Sequence, residues 1–109
     1  MLEQHIQKQI LDYLRFRGIF CWKNNNTGIY VKARNTYIKS HAVGVSDILG
    51  VLPGGRILCV EVKRAGGKLS EPQRQFLDEI NERGGLAFVA TSVEDIETYL
   101  HSTQTVDAE

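Results

Sequence analysis

Three residues of this chain, Asp47, Glu61 and Lys63, have the types and the spacing to do chemistry. Asp47 to Leu52 and Arg56 to Lys63 are nearly continuous apolar runs separated by Pro53-Gly54-Gly55, the pattern of a hairpin buried on both faces. Side chains alternate along a strand, so Ile57, Cys59, Glu61 and Lys63 share one face and Leu58, Val60 and Val62 the other. Two charges on a strand otherwise fit for burial are costly unless they are paired or bound to an ion. If Pro53-Gly54-Gly55 is the whole loop, Leu52 pairs with Arg56, and counting back sets Asp47 opposite Glu61. A loop one residue shorter or longer turns Glu61 to the other face. Opposed residues have Cβ atoms ~4.5–5.5 Å apart, and like charges there repel. Facing carboxylates at the open end of a hairpin suit a hard divalent cation, which takes oxygen ligands. Lys63, two residues on, projects beside them. The competing reading is structural: Asp47 ends a strand, and Glu61 pairs at the surface with Lys63 or Arg64. Spacing alone leaves both readings open.

The elements that must position these residues follow from periodicity. Leu2, Ile6, Ile10 and Leu14, joined by Leu11 and Tyr13, mark a helix from about Leu2 to Arg17, stopped by Gly18. Ile19-Phe20-Cys21-Trp22 reads as a strand. Asn24-Asn25-Asn26-Thr27-Gly28 reads as a loop. Residues 29–43 are either a ragged hairpin (Ile29-Tyr30-Val31 against Thr36-Tyr37-Ile38) or an ordered loop. Beyond the buried hairpin, Gly66-Gly67 breaks the pattern. Ser70-Glu71-Pro72-Gln73 then opens a helix with Phe76, Leu77 and Ile80 inward, ended by Gly84-Gly85. Leu86 to Ala90 is a strand, and Ser92 caps a last helix carrying Ile96, Tyr99 and Leu100. The expected architecture is α/β, a mixed central sheet flanked by helices. One domain is expected over residues 1–101, with a frayed, flexible tail over residues 102–109.

Composition narrows the class. The longest apolar run falls far short of the ~20 residues that span a bilayer, and Glu3 and Gln4 interrupt the pattern of a secretory signal. An intracellular, cytoplasmic protein is expected. Cys21 and Cys59 sit inside strands without metal-site spacing, and read as buried free thiols. With 13 basic and 13 acidic residues the formal charge is zero, which alone argues against a nucleic-acid partner. The distribution argues for one. Between Asp12 and Asp47 there is no acidic residue, while Arg15, Arg17, Lys23, Lys32, Arg34 and Lys39 all fall there. After Arg83 there is no Lys or Arg. A phosphate backbone responds to the local charge, not the total.

Gly44-Val45-Ser46-Asp47, then thirteen residues, then Glu61-Val62-Lys63 resembles the PD-(D/E)XK nuclease superfamily. Within it, the chain is similar to the virus-type replication-repair nuclease (VRR-NUC) domain. Glu3 on an N-terminal helix, the Gly-x-Ser-Asp form of the first motif and Leu69 to Phe76 after the lysine all fit. Ser46 stands where the superfamily name has proline. The resemblance runs from about Leu2 to Ala90 and implies a restriction-endonuclease-like core that hydrolyses phosphodiesters with a metal-activated water. It implies that Asp47 and Glu61 bind Mg²⁺ or Mn²⁺, with the Val62 carbonyl as a further ligand and Glu3 acting on the metal directly or through water. Lys63 is implied to orient or deprotonate the water and to stabilise the transition state. Gln73 matches a glutamine that approaches the active site, although Ser70-x-x-Gln73 is also a capping box. Lys32, Arg34 and Lys39, interleaved with Tyr30 and Tyr37, are candidates to grip phosphates and stack on bases; a solvated loop is the structural alternative. His41 is left out of the site, as a lone histidine without a partner motif.

Freestanding domains of this kind resemble Holliday-junction resolvases and are typically phage-encoded homodimers. The implied substrate is therefore branched or junction DNA, cut by two sites related by a two-fold axis. Ile29, Val31, Tyr37 and Ile38 are candidate interface residues. Two other classes compete. A non-catalytic nucleic-acid-binding module has no need of buried acids that repel phosphate. A protein-interaction domain has no need of the acid-free stretch from Tyr13 to Ser46.

Overall fold

The apolar stripe of the first helix decides which face of the sheet it covers. In a computed structural model, which describes residues 1–24, 29–34, 36–38 and 44–107, α1 spans Glu3–Phe16 and buries Ile6, Ile10, Leu11 and Leu14. Leu2, placed on that stripe by its spacing, is instead the exposed N-cap, without a side-chain capping bond. The chain continues through β1 (Phe20–Lys23), β2 (Ile29–Val31), a short 3₁₀ turn (Lys32–Arg34), β3 (Thr36–Ile38), β4 (Ile48–Val51) and β5 (Ile57–Val62). It ends with α2 (Glu71–Glu82), β6 (Leu86–Ala90) and α3 (Val93–Asp107), whose backbone runs on past His101, where a tail was expected. Within residues 29–43, the described backbone takes the hairpin alternative, with Ile29 opposite Ile38 and Val31 opposite Thr36.

Among the described residues, four strands form a mixed sheet in the order β1-β4-β5-β6, antiparallel except for the parallel β5–β6 pair. The parallel pair follows from the α2 crossover between its strands. Strand β5 is buried on both sides, and alternation separates two cores. Leu58, Val60 and Val62 pack with α1 and with Ile96 and Leu100 of α3. Cys59 packs with Leu77 of α2 and Ala87, flanked by Leu49, Phe76, Ile80 and Val89. Each aliphatic side chain taken fully from water contributes roughly 1.5–3 kcal/mol. The two cysteines are buried and free, as expected.

The β4–β5 turn takes the three-residue form. Leu52 N donates to Arg56 O at 2.8 Å and Gly55 N donates to Leu52 O at 2.9 Å. Gly54 and Gly55 both have φ of 92°, the left-handed region that glycine enters without steric cost. Arg56 ties this end of the hairpin to the α2–β6 loop, donating from Nε to Gly84 O and from a guanidinium NH₂ to Gly85 O.

Candidate active site

The hairpin register builds the site. Ile48 pairs with Val60 and Val51 with Ile57, so the next pair outward is Asp47 with Glu61, the register that a three-residue loop demands. Asp47 is held at both ends. Its backbone carbonyl accepts from Asn24 N at 2.7 Å, and its Oδ2 accepts from Val62 N at 2.9 Å.

Glu61 is only 2% exposed. Its Oε1 accepts from Gln73 Nε2 at 2.8 Å and lies 3.7 Å from Lys63 Nζ. Its Oε2 is buried without a hydrogen-bond partner among the described residues. Burial first, and then the Asp47 carboxylate, push the Glu61 carboxyl up to about 7, against the opposing pull of Lys63. The Lys63 side chain is 14% exposed, so the Glu61–Lys63 pair is not the surface ion pair of the structural alternative. A buried carboxyl with one oxygen unpartnered, beside a second carboxylate, is costly as a purely structural element.

Gln73 joins two sets of hydrogen bonds. Its backbone N donates to Ser70 Oγ at 3.3 Å, and its Oε1 accepts from Ser70 N at 2.9 Å, completing the capping box of α2. The remaining amide nitrogen reaches Glu61. Gly44 allows this approach: its φ is +83°, and a Cβ there would stand 2.5 Å from Pro72 O. In the sequence Gly44 stands only as part of the Gly-x-Ser-Asp motif; a glycine there signals close backbone packing without naming its partner.

Glu3 occupies the first turn of α1, partly buried. Among the described residues no group of three or more His, Cys, Asp or Glu side chains is arranged to hold a metal ion, so Asp47 and Glu61 come together as a pair. Lys32 is exposed and starts the 3₁₀ turn that Arg34 closes; Lys39 lies outside the described residues. Ser46 is fully buried, with no hydrogen-bond partner for its hydroxyl among the described residues.

The chemistry of the donor set fits a hard divalent cation: two adjacent carboxylates, one of them carrying an unpartnered oxygen. A mixed sheet with helices on both faces and an Asp, a Glu and a Lys at the open end of its central hairpin is consistent with a PD-(D/E)XK-like core. The VRR-NUC domain family model matches residues 21–94, and the chain belongs to that family. A solved structure described as a VRR_NUC domain is 24% identical, with a TM-score of 0.64, covering 91% of this chain and 94% of its own. No curated protein matches the chain. The family match begins at Cys21, after α1, so Glu3 lies outside it; the structural likeness extends over nearly all of the chain. Membership implies a nuclease-type function, with DNA as the substrate. No described helix is long and apolar enough to cross a membrane.

Proposed function

We propose that this protein is a metal-dependent DNA endonuclease that hydrolyses phosphodiester bonds in branched DNA, in the manner of a junction resolvase. The observation that carries the reading is the Glu61 carboxyl, buried beside Asp47 with Oε2 unpartnered among the described residues and Lys63 next to it. Asp47, Glu61 and the Val62 backbone carbonyl would hold Mg²⁺ or Mn²⁺, with Glu3 contributing from α1. A divalent cation in such a site supplies Lewis acidity toward the phosphate and makes water a nucleophile at neutral pH.

The chain's own residues do the rest. Gln73 fixes Glu61 Oε1, which leaves Oε2 for the cation. The bond from Val62 N fixes Asp47 Oδ2 and so sets the spacing of the two carboxylates. Lys63 brings a positive charge to the oxygens of the phosphate as negative charge develops on them, and orients the attacking water. Lys32, Arg34 and Lys39 would bind flanking phosphates. A homodimer with two-fold symmetry would present two such sites to the two sides of a junction. Residues 1–101 constitute the nuclease domain in this reading, which is that of a cytoplasmic enzyme.

The test is incubation with a labelled four-way junction and a matched linear duplex, each with Mg²⁺, Mn²⁺ or EDTA, alongside Glu61→Gln. The reading expects metal-dependent cutting of the junction, lost in the variant. Equal cutting of both DNAs would remove the resolvase assignment. Binding without cleavage under any metal would reduce the protein to a binding module.

A further inference from the structure

Strand β1 carries two aromatic residues, Phe20 and Trp22, that are 70% and 40% exposed. Cys21 between them is buried in the core beneath α1, so alternation sends both aromatics to the opposite face of the sheet. There their ring centroids lie 5.5 Å apart at an interplanar angle of 53°. Phe20 pairs with Val51 and Trp22 with Leu49, and the odd-numbered residues of β4 share a face with Asp47. The aromatic pair and the carboxylates therefore stand on the same side of the sheet. Directly across from Trp22 is Leu49, and Asp47 is the diagonal neighbour, on the order of 7–8 Å away.

Helix α2 covers this face where Leu77 meets Cys59 of β5 and Ala87 of β6. It leaves Phe20 and Trp22 of β1 exposed, with Val51 and Ile57 toward the hairpin turn. An exposed row of this kind, at the edge of a sheet and on the same face as the carboxylate pair, calls for an occupant. The charge around it indicates which. Strand β1 lies inside the stretch from Tyr13 to Ser46 that contains no acidic residue, and exposed Lys23, which alternation turns to the other face, ends the strand at the sheet edge beside Trp22. A polyanion gains from that charge, whereas two copies of the same basic strand would repel. In a continuous duplex the base faces are occupied by their neighbours. Only an unpaired base offers a π-face to an aromatic ring.

We propose that Phe20 and Trp22 form a stacking platform for unpaired nucleobases beside the carboxylate pair of Asp47 and Glu61. This rests on the nuclease reading and deepens it: the substrate class becomes DNA with unstacked bases beside the cleavage point. Trp22 is the only tryptophan in the sequence, so its emission reports on the platform directly. The full chain would be titrated in EDTA with oligothymidylate and, at the same salt, with a blunt duplex of equal length, with binding followed independently by anisotropy. Bound single strand is expected to quench most of the Trp22 emission, and bound duplex little of it. Trp22→Ala and Phe20→Ala should each weaken single-strand binding about tenfold, with a much smaller loss for duplex, and Trp22→Phe should recover most of the affinity.

Saturating single strand without quenching would overturn the platform, as would equal losses for the two DNAs. A dimer seen in sedimentation that Trp22→Ala disperses would also overturn it and assign the row to a second copy. Cleavage of a junction with metal but without quenching removes the platform and leaves the nuclease. Quenching without cleavage keeps the platform and removes the nuclease.

Discussion

Gln73 donates its side-chain amide to Glu61 Oε1 across 2.8 Å, while the oxygen of the same side chain caps its own helix at Ser70 N. The start of α2 and the centre of the site are thus one hydrogen-bonded unit. A buried carboxylate oxygen must be satisfied or its burial costs free energy, and here the helix cap supplies the donor. Ser70→Ala removes only the hydroxyl half of the cap, so it should cost about 1 kcal/mol of stability and leave cleavage nearly unchanged. Gln73→Ala removes the cap and the Glu61 partner together. It should cost about 2 kcal/mol and lower cleavage by roughly tenfold or more, the usual effect of losing a group that orients a ligand. Urea unfolding and single-turnover cleavage of both variants separate the two contributions.

Glu61 should make the metal-free protein less stable as pH rises. Its carboxyl is pushed up from 4.5 to about 7 by burial and by Asp47. Between those values the folded chain holds more protons than the unfolded chain, so stability falls with increasing pH across that window and levels off above it. The contribution is on the order of 3 kcal/mol. Glu61→Gln, which cannot ionise, should flatten this part of the profile and be more stable than the parent at pH 8 in EDTA. Urea midpoints from pH 4.5 to 8 measure it; a parallel slope in the variant would assign the effect to another group.

The hairpin was legible because its turn is local chemistry. Pro53-Gly54-Gly55 between apolar runs leaves few loop lengths, and the three-residue form alone sets Asp47 against Glu61. The capping box of Gln73 was legible too, since Ser70-x-x-Gln73 is a local motif; its bond to Glu61 joins segments that spacing does not relate. The exposure of Phe20 and Trp22 was not. A run of bulky residues reads as core, and only the sheet order makes β1 a terminal strand whose α2-side face lies beyond that helix. Leu2 misled for a related reason: it has the spacing of the α1 stripe but precedes the first helical turn. Nor does spacing in sequence report that Gly44 meets Pro72, a contact between segments far apart along the chain.

Lys63→Met keeps an unbranched side chain and removes the charge beside Glu61, 3.7 Å from Oε1 in the parent. Because Lys63 opposes the rise of the Glu61 carboxyl, its removal should carry the falling part of the metal-free stability profile further above pH 7. Cleavage should drop at least ~100-fold from the loss of transition-state charge stabilisation. The two effects are read separately, by unfolding in EDTA and by cleavage in Mg²⁺.

Divalent metal should stabilise the fold, because the paired carboxylates exist only in the native state. Mg²⁺ or Mn²⁺ at about 100 times its dissociation constant would add roughly 2.7 kcal/mol, seen as a rise in melting temperature that EDTA reverses. The gain should shrink below pH 7, where protons compete for Glu61. Asp47→Asn and Glu61→Gln should abolish it. Glu3→Gln should reduce it only if α1 contributes a ligand, so an unchanged shift in that variant would remove Glu3 from the metal site.

Gly44→Ala tests whether the approach of α2 is what keeps Gln73 on Glu61. Two costs combine at this position. The backbone has φ of +83°, and the added Cβ would stand 2.5 Å from Pro72 O and 2.7 Å from Pro72 C. Backbone atoms cannot turn aside as a flexible side chain can, so α2 must move away or the loop must rearrange. A non-glycine residue in the left-handed region costs on the order of 1 kcal/mol, and the contact should bring the loss to about 2 kcal/mol or more. Gly54→Ala is the control, since φ there is +92° with nothing within 4 Å, and it should show the backbone cost alone with cleavage retained. Cleavage lost in Gly44→Ala but kept in Gly54→Ala would tie catalysis to the docking of α2. Equal, small effects in both would mean that Glu61 does not depend on that contact.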